Sequence, residues 1–142
     1  MKAVVMTAAG KLDVLQLQDL PMPAIQGREL LVRLKAAGVN PVDTKLRARG
    51  TYFPERMPAV LGCDGAGIVE AAAPETRGFS IGDALYFCNG GIGGHPGTYA
   101  EYTVIDERFA AAKSRLHLSN KAMHSTWVVC GNMSITPALA RR

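Results

Sequence analysis

Asn40, Lys45, Tyr52, Cys63, Asp64 and His95 are the side chains of this chain whose types could act on a small bound molecule. The amide of Asn40, the ammonium of Lys45 and the phenol of Tyr52 are hydrogen-bond donors able to polarise a ligand oxygen. Each has a plainer reading beside it. Asn40 precedes Pro41, where it would cap a helix N-terminus, and a cap can also face a ligand. Lys45 suits the solvated face of a short helix. Cys63, between Gly62 and Asp64, suits a small buried thiol. His95 lies in a glycine-rich stretch and is expected to face solvent. Cys63, Asp64 and His95 carry metal-ligating atoms, but their spacing is not diagnostic of a site. Gly90-Gly91-Ile92-Gly93-Gly94 lacks the strand-turn-helix context, and the acid some twenty residues later, that a dinucleotide fingerprint requires.

The elements that must position these groups read mostly as short strands. Residues 2–7 are β-branched and apolar, and Leu12, Val14, Leu15 and Leu17 suggest a partner strand across a Gly10-Lys11 turn. Pro21 and Pro23 break regular structure. Residues 29–38 alternate as a long half-buried strand. Pro41-Val42-Asp43 opens a short helix that runs to Arg49 and is closed by Gly50. Residues 51–60 hold Pro54 and Pro58 and read as a loop. Further strands are expected over 65–73, 83–87 and 98–105, with a turn region at 74–82 and a flexible loop at 89–97 that has five glycines in nine residues. This pattern predicts a mostly-β barrel or sandwich with one short helix.

At 142 residues the chain is long enough for one domain with a core and too short for two of ordinary size. No stretch approaches the roughly twenty apolar residues of a membrane span, and the start has no secretory h-region, so neither a membrane nor an export role is expected. Three widely spaced cysteines, Cys63, Cys88 and Cys130, do not suggest a disulfide framework, and the cytoplasm is the default location. All 12 acids lie within residues 1–112 beside 11 of the 16 bases; from Lys113 onward there are five bases and no acid. That basic segment has neither a Lys/Arg cluster nor spaced aromatics, so nucleic-acid binding is not expected.

Two motifs, Gly38-Val39-Asn40-Pro41-Val42-Asp43-Thr44-Lys45 and Gly62-Cys63-Asp64-Gly65-Ala66-Gly67-Ile68-Val69, each follow an apolar run. With the opening Met1-Lys2-Ala3-Val4-Val5, the Gly82-Asp83 pair before a strand and Gly97-Thr98-Tyr99-Ala100-Glu101-Tyr102, they stand in a specific order. Over residues 1–113 the chain resembles the GroES-like catalytic domain of the medium-chain dehydrogenase/reductase superfamily, in its zinc-free quinone oxidoreductase branch. The resemblance implies a GroES-like, partly open β-barrel with one short helix, and no Rossmann domain in this chain. It implies NADPH as cofactor and hydride transfer to a quinone, or to the β-carbon of a conjugated carbonyl (an enone). By the same resemblance Asn40 lines the cleft where nicotinamide and substrate meet, and Cys63 lies where the family approaches the cofactor. Tyr52 or Lys45 would donate to the developing enolate oxygen. In zinc-dependent relatives the position of Asn40 is a cysteine ligand and that of Cys63 a histidine. A second zinc site would need several cysteines where this chain has only Cys88, so no metal is expected. A homo-oligomer remains open. The competing readings are a non-enzymatic truncated gene product and a small β-barrel interaction module.

The family normally continues past residue 113 with a proline and an acid-containing amphipathic helix; here Ser114-Arg115-Leu116-His117 follows. Residues 114–142 show no sustained period and are expected to be an atypical basic tail, frameshifted or disordered, that packs poorly on the barrel. The chain alone is then expected to bind NADPH weakly or not at all, lacking a glycine-rich turn at a helix N-terminus to hold the pyrophosphate.

Overall fold

Short apolar runs separated by glycine and proline give eight strands and one α-helix over residues 1–113, the part of the chain that the computed structural model describes. They are β1 (Lys2–Met6), β2 (Leu15–Asp19), β3 (Glu29–Ala37), α1 (Pro41–Arg49), β4 (Ala59–Val60), β5 (Asp64–Ala72), β6 (Ala84–Cys88), β7 (Tyr102–Asp106) and β8 (Ala110–Ala112). The expectations for residues 114–142 lie outside the described residues. β2, β1 and β4 form a three-stranded sheet; β7, β3, β5, β6 and β8 form a five-stranded one, and every pairing is antiparallel. No helix among the described residues is long and apolar enough to cross a membrane.

The two nine-residue strands, β3 and β5, are the spine of the larger sheet. Their pairing runs from Leu30 opposite Ala72 to Ala37 opposite Gly65, with register shifts at Leu31/Val32 and Leu34/Ala36 that bend the ladder. Leu30, Val32, Val69, Leu85, Phe87 and Ile105 alternate inward from four strands of this sheet and form its core. A second cluster, Met6, Leu46 and Leu61, joins the smaller sheet to the buried face of α1. Gly67 sits where β5 presses on β3. A Cβ at that position would stand 2.7 Å from Val32 Cγ1 and would run into the Arg33 carbonyl oxygen.

Three local expectations change. Leu12–Val14 is a 3-10 turn instead of strand, so β2 begins at Leu15, although it pairs with β1 as expected. The 51–60 loop contains a 3-10 turn at Pro54–Arg56 and the two-residue β4. The strand expected over 98–105 starts only at Tyr102. The N–H groups of Thr98 and Tyr99 donate instead to the carbonyls of Gly62 and Leu61, both at 3.0 Å.

Glu107 locks the far end of the larger sheet. Its buried carboxylate accepts from Arg28 Nε at 2.7 Å, from the Gly78 N–H at 2.7 Å and from the Arg77 N–H at 2.9 Å. These bonds, those to the Gly78 and Arg77 backbone first, hold its carboxyl below the usual glutamate range. Next to it, hydrogen bonds from Arg108 lower Asp106 from 3.8 to about 2. Both groups therefore bind protons more weakly folded than unfolded, and their stabilisation is complete above the unfolded values of 3.8 and 4.5 and lost as pH falls through the folded ones. The urea midpoint is expected to be level near neutral pH and to drop below about pH 4.5, with a shallower drop in Glu107→Gln.

Candidate functional site

The site grows from the point where β3 hands over to α1 and β5 begins beside it. The Gly38 N–H donates to the Asp64 carbonyl at 2.9 Å, which brings the two motifs side by side. Asn40, in extended conformation, is the N-cap of α1, with Pro41 at the first helical position. Asn40 and Asp43 form a capping box, whose firm half is the Asn40 N–H donating to Asp43 Oδ2 at 2.7 Å. The side-chain NH2 of Asn40 donates to Asp64 Oδ2. Asp43 and Asp64 are only 4% and 2% exposed, whereas Asn40 is half-buried. One residue is thus held by two buried carboxylates, at its backbone N–H by Asp43 and at its side-chain NH2 by Asp64. The cap expected for Asn40 is present, and its side chain reaches across to the second motif at Asp64.

Gly62 explains how a third motif joins. Its φ of +102° suits glycine, and a Cβ there would stand 2.8 Å from the Tyr99 ring. The missing side chain lets Tyr99 lie against the turn that carries Cys63 and Asp64. Four buried side-chain atoms at this place form no hydrogen bond: Asp43 Oδ1, Asp64 Oδ1, Thr98 Oγ1 and the Tyr99 hydroxyl. Burial, followed by the charges of Asp43 and Asp64, pushes the Cys63 thiol from 9.0 up to about 11. Burial, then Asp43, pushes the Tyr99 phenol well above its usual range, so it stays protonated.

That shift makes Cys63 a poor nucleophile. At pH 8 about one thiol in a thousand would be ionised, so alkylation of Cys63 is expected to run roughly a hundredfold slower than that of an unhindered thiol. Peptide mapping after timed iodoacetamide treatment reads this directly, with the exposed Cys88 labelled ahead of Cys63.

The 89–97 loop is shaped by close backbone packing. Gly91 lies directly on the Gly62 backbone, Gly93 meets Thr51 and Gly94 meets the Phe53 ring. Arg56 Nη1 donates to the Gly94 carbonyl at 2.6 Å, and its guanidinium lies over Phe53, 5.6 Å from the ring centroid. His95 is partly exposed, with its Nε2 3.7 Å from Glu29 Oε1. Among the described residues, no three His, Cys, Asp or Glu side chains come together to hold a metal ion. Lys45 and Tyr52 are exposed, Tyr52 by 71%, and neither hydrogen-bonds to Asn40 or Asp64. The structure therefore gathers Asn40 and Cys63 and leaves Lys45 and Tyr52 at the surface. Sequence reasoning weighed Asp64 only as a metal-ligating group, not as the partner of Asn40, and missed Tyr99.

This arrangement has counterparts. Residues 26–115 match the alcohol dehydrogenase GroES-like domain. The chain is 37% identical over 106 residues to a quinone oxidoreductase of Lama guanicoe, covering 73% of this chain and 31% of that protein. It is 42% identical over 97 residues to the trans-enoyl reductase RAP2 of Pyricularia oryzae, covering 65% of this chain and 26% of that one. The crystal structure of Escherichia coli quinone oxidoreductase complexed with NADPH superposes with a TM-score of 0.74 at 26% identity, over 88% of this chain and 37% of that chain. Fold and site together define a GroES-like β-domain of the alcohol dehydrogenase type. The chain belongs to that family, within the medium-chain dehydrogenase/reductase oxidoreductases. It spans about a third or less of the length of these curated relatives.

Proposed function

We propose that this domain forms the substrate side of an NAD(P)H-dependent oxidoreductase that reduces quinones or conjugated carbonyl compounds, with hydrogen-bond donors polarising the substrate oxygen in place of zinc. The observation that carries this reading is the Asn40 amide, fixed through its backbone by Asp43 and through its NH2 by Asp64. One N–H of that NH2 goes to Asp64, and the other is free to donate to an oxygen that gains charge during reduction. A donor oriented before the substrate arrives needs no reorganisation when that charge develops. Tyr52 and Lys45, exposed after and along α1, are the further donors on this side.

The donor set does not suit zinc. By the resemblance an amide occupies the position of one ligand, and among the described residues no three His, Cys, Asp or Glu side chains come together. Purified protein is expected to carry no stoichiometric zinc by elemental analysis; one tightly held zinc per chain would overturn this part of the reading.

NAD(P)H, when bound, supplies the hydride. The described residues suit its nicotinamide end better than its phosphates. The N-terminus of α1, where a helix dipole would attract a phosphate, already holds the Asp43 carboxylate and a proline. The decisive assay joins this domain to the remaining length of a quinone oxidoreductase and follows NADPH oxidation with a simple quinone and with a conjugated enone. Turnover of either supports the proposal; a folded chimera that turns over neither refutes it.

A further inference from the structure

The capping of α1 leaves a question that the Asn40–Asp64 bond does not answer. Asp43 uses Oδ2 to hold the Asn40 backbone, but its Oδ1 is buried with no hydrogen bond. A buried carboxylate oxygen left unpaired is costly, and native interiors rarely tolerate one. The Tyr99 hydroxyl is also buried and unpaired. One is an acceptor lacking a donor, the other a donor lacking an acceptor. The turn at Gly62, which has no side chain, is what allows the Tyr99 ring to reach this place. Tyr99 packs against the cluster that includes Leu46, and Leu46 and Asp43 are the two buried residues of α1, one turn apart on its inner face.

We infer that Tyr99 is a positioning residue: its hydroxyl donates to Asp43 Oδ1, directly or through one buried water, and so fixes the carboxylate that sets Asn40. The chain of contacts runs from the Tyr99 hydroxyl to Asp43, from Asp43 Oδ2 to the Asn40 N–H, and from the Asn40 NH2 to Asp64. Tyr99 touches neither substrate nor cofactor in this scheme. It acts by removing the freedom of Asp43 to rotate, and with it the freedom of the Asn40 backbone to leave its capping geometry. The high pKa direction of Tyr99 suits this task, because a phenol that keeps its proton is a permanent donor. The value of this positioning to turnover rests on the function proposed above, but the contact itself does not.

The test is therefore made on the 142-residue chain by NMR, without substrate. In the wild-type protein the Tyr99 hydroxyl proton is expected to exchange slowly with water and to be observable. In Tyr99→Phe the side-chain NH2 pair of Asn40 is expected to shift, while the exposed-ring variant Tyr86→Phe leaves it in place. Val69→Ala, in the core of the larger sheet, controls for general loosening; it is expected to lower the melting temperature without moving the Asn40 pair. An Asn40 pair unmoved in folded Tyr99→Phe, or moved equally by Val69→Ala, overturns the inference. So does a Tyr99 hydroxyl in fast exchange in the wild type, a measurement that stands even if Tyr99→Phe fails to fold. Failure here would leave the proposed hydride-transfer function standing, and failure of the chimera assay would leave this contact standing.

Discussion

Asn40→Ala, introduced into the chimera that restores the relatives' full length, is expected to lower turnover by about tenfold or more. The substitution removes a donor held in place by Asp64, and losing one preorganised donor costs roughly 1–4 kcal/mol of transition-state stabilisation. It also removes an N-cap, which costs about 0.5–2 kcal/mol of stability, and the two effects must be separated. Asn40→Ser does so, because serine caps as well as asparagine but is too short to donate to Asp64 and to a substrate oxygen at once. A turnover loss shared by Ala and Ser, with stability lost only in Ala, assigns the catalytic effect to the amide. Unchanged kinetics in a folded Asn40→Ala protein would leave Asn40 as a cap alone.

The second large effect is expected in the frame. Gly67→Val should destabilise the domain by about 3 kcal/mol or more, or prevent folding, as read by urea denaturation. Ordinary overpacking is relieved when a flexible side chain swings away. Here the obstacle is the Arg33 carbonyl on β3, backbone that is itself paired with β7 on its other side. Relief would require β3 and β5 to part in the middle of their ladder, and Val32 and Val69 of the larger core would part with them. Gly82→Ala is the useful contrast. Its φ is +91°, but nothing lies within 4 Å of the added carbon, so the cost is limited to backbone strain.

The helix was the most legible element. Proline at the first position and glycine after the last gave α1 its observed limits, Pro41–Arg49 with Gly50 as cap, because both signals act through local backbone geometry. β3 and β5 were readable for a related reason: long alternating or glycine-spaced runs tolerate few other structures. The 98–105 segment was misread at its start. Period-two alternation reports a half-buried extended chain but not its hydrogen-bond partner, and Thr98 and Tyr99 pair with Leu61 and Gly62 instead of continuing β7. The site was legible only in part. Asn40 and Cys63 belong to motifs read along the chain. Asp64 and Tyr99 matter through contacts made across distant segments, which no local pattern encodes. Lys45 and Tyr52 have suitable chemistry, but one lies on the outer face of α1 and the other just beyond its cap, and burial is not written in residue type.

The stacking of Gly91 directly on Gly62, with Gly97 against the Leu61 carbonyl, has a consequence for how this domain can diversify. One wall beside Cys63 is main chain against main chain, and a side chain added at any of these positions would have no volume to occupy. Point substitution therefore has little to act on there. The positions free to vary are those whose side chains already stand clear of the frame, Val39 before the cap and Tyr52 after the helix, at 53% and 71% exposure. A library confined to those two residues would vary the surface on either side of α1 at little risk to folding, whereas one spread over the glycines would consist mostly of unfolded chains.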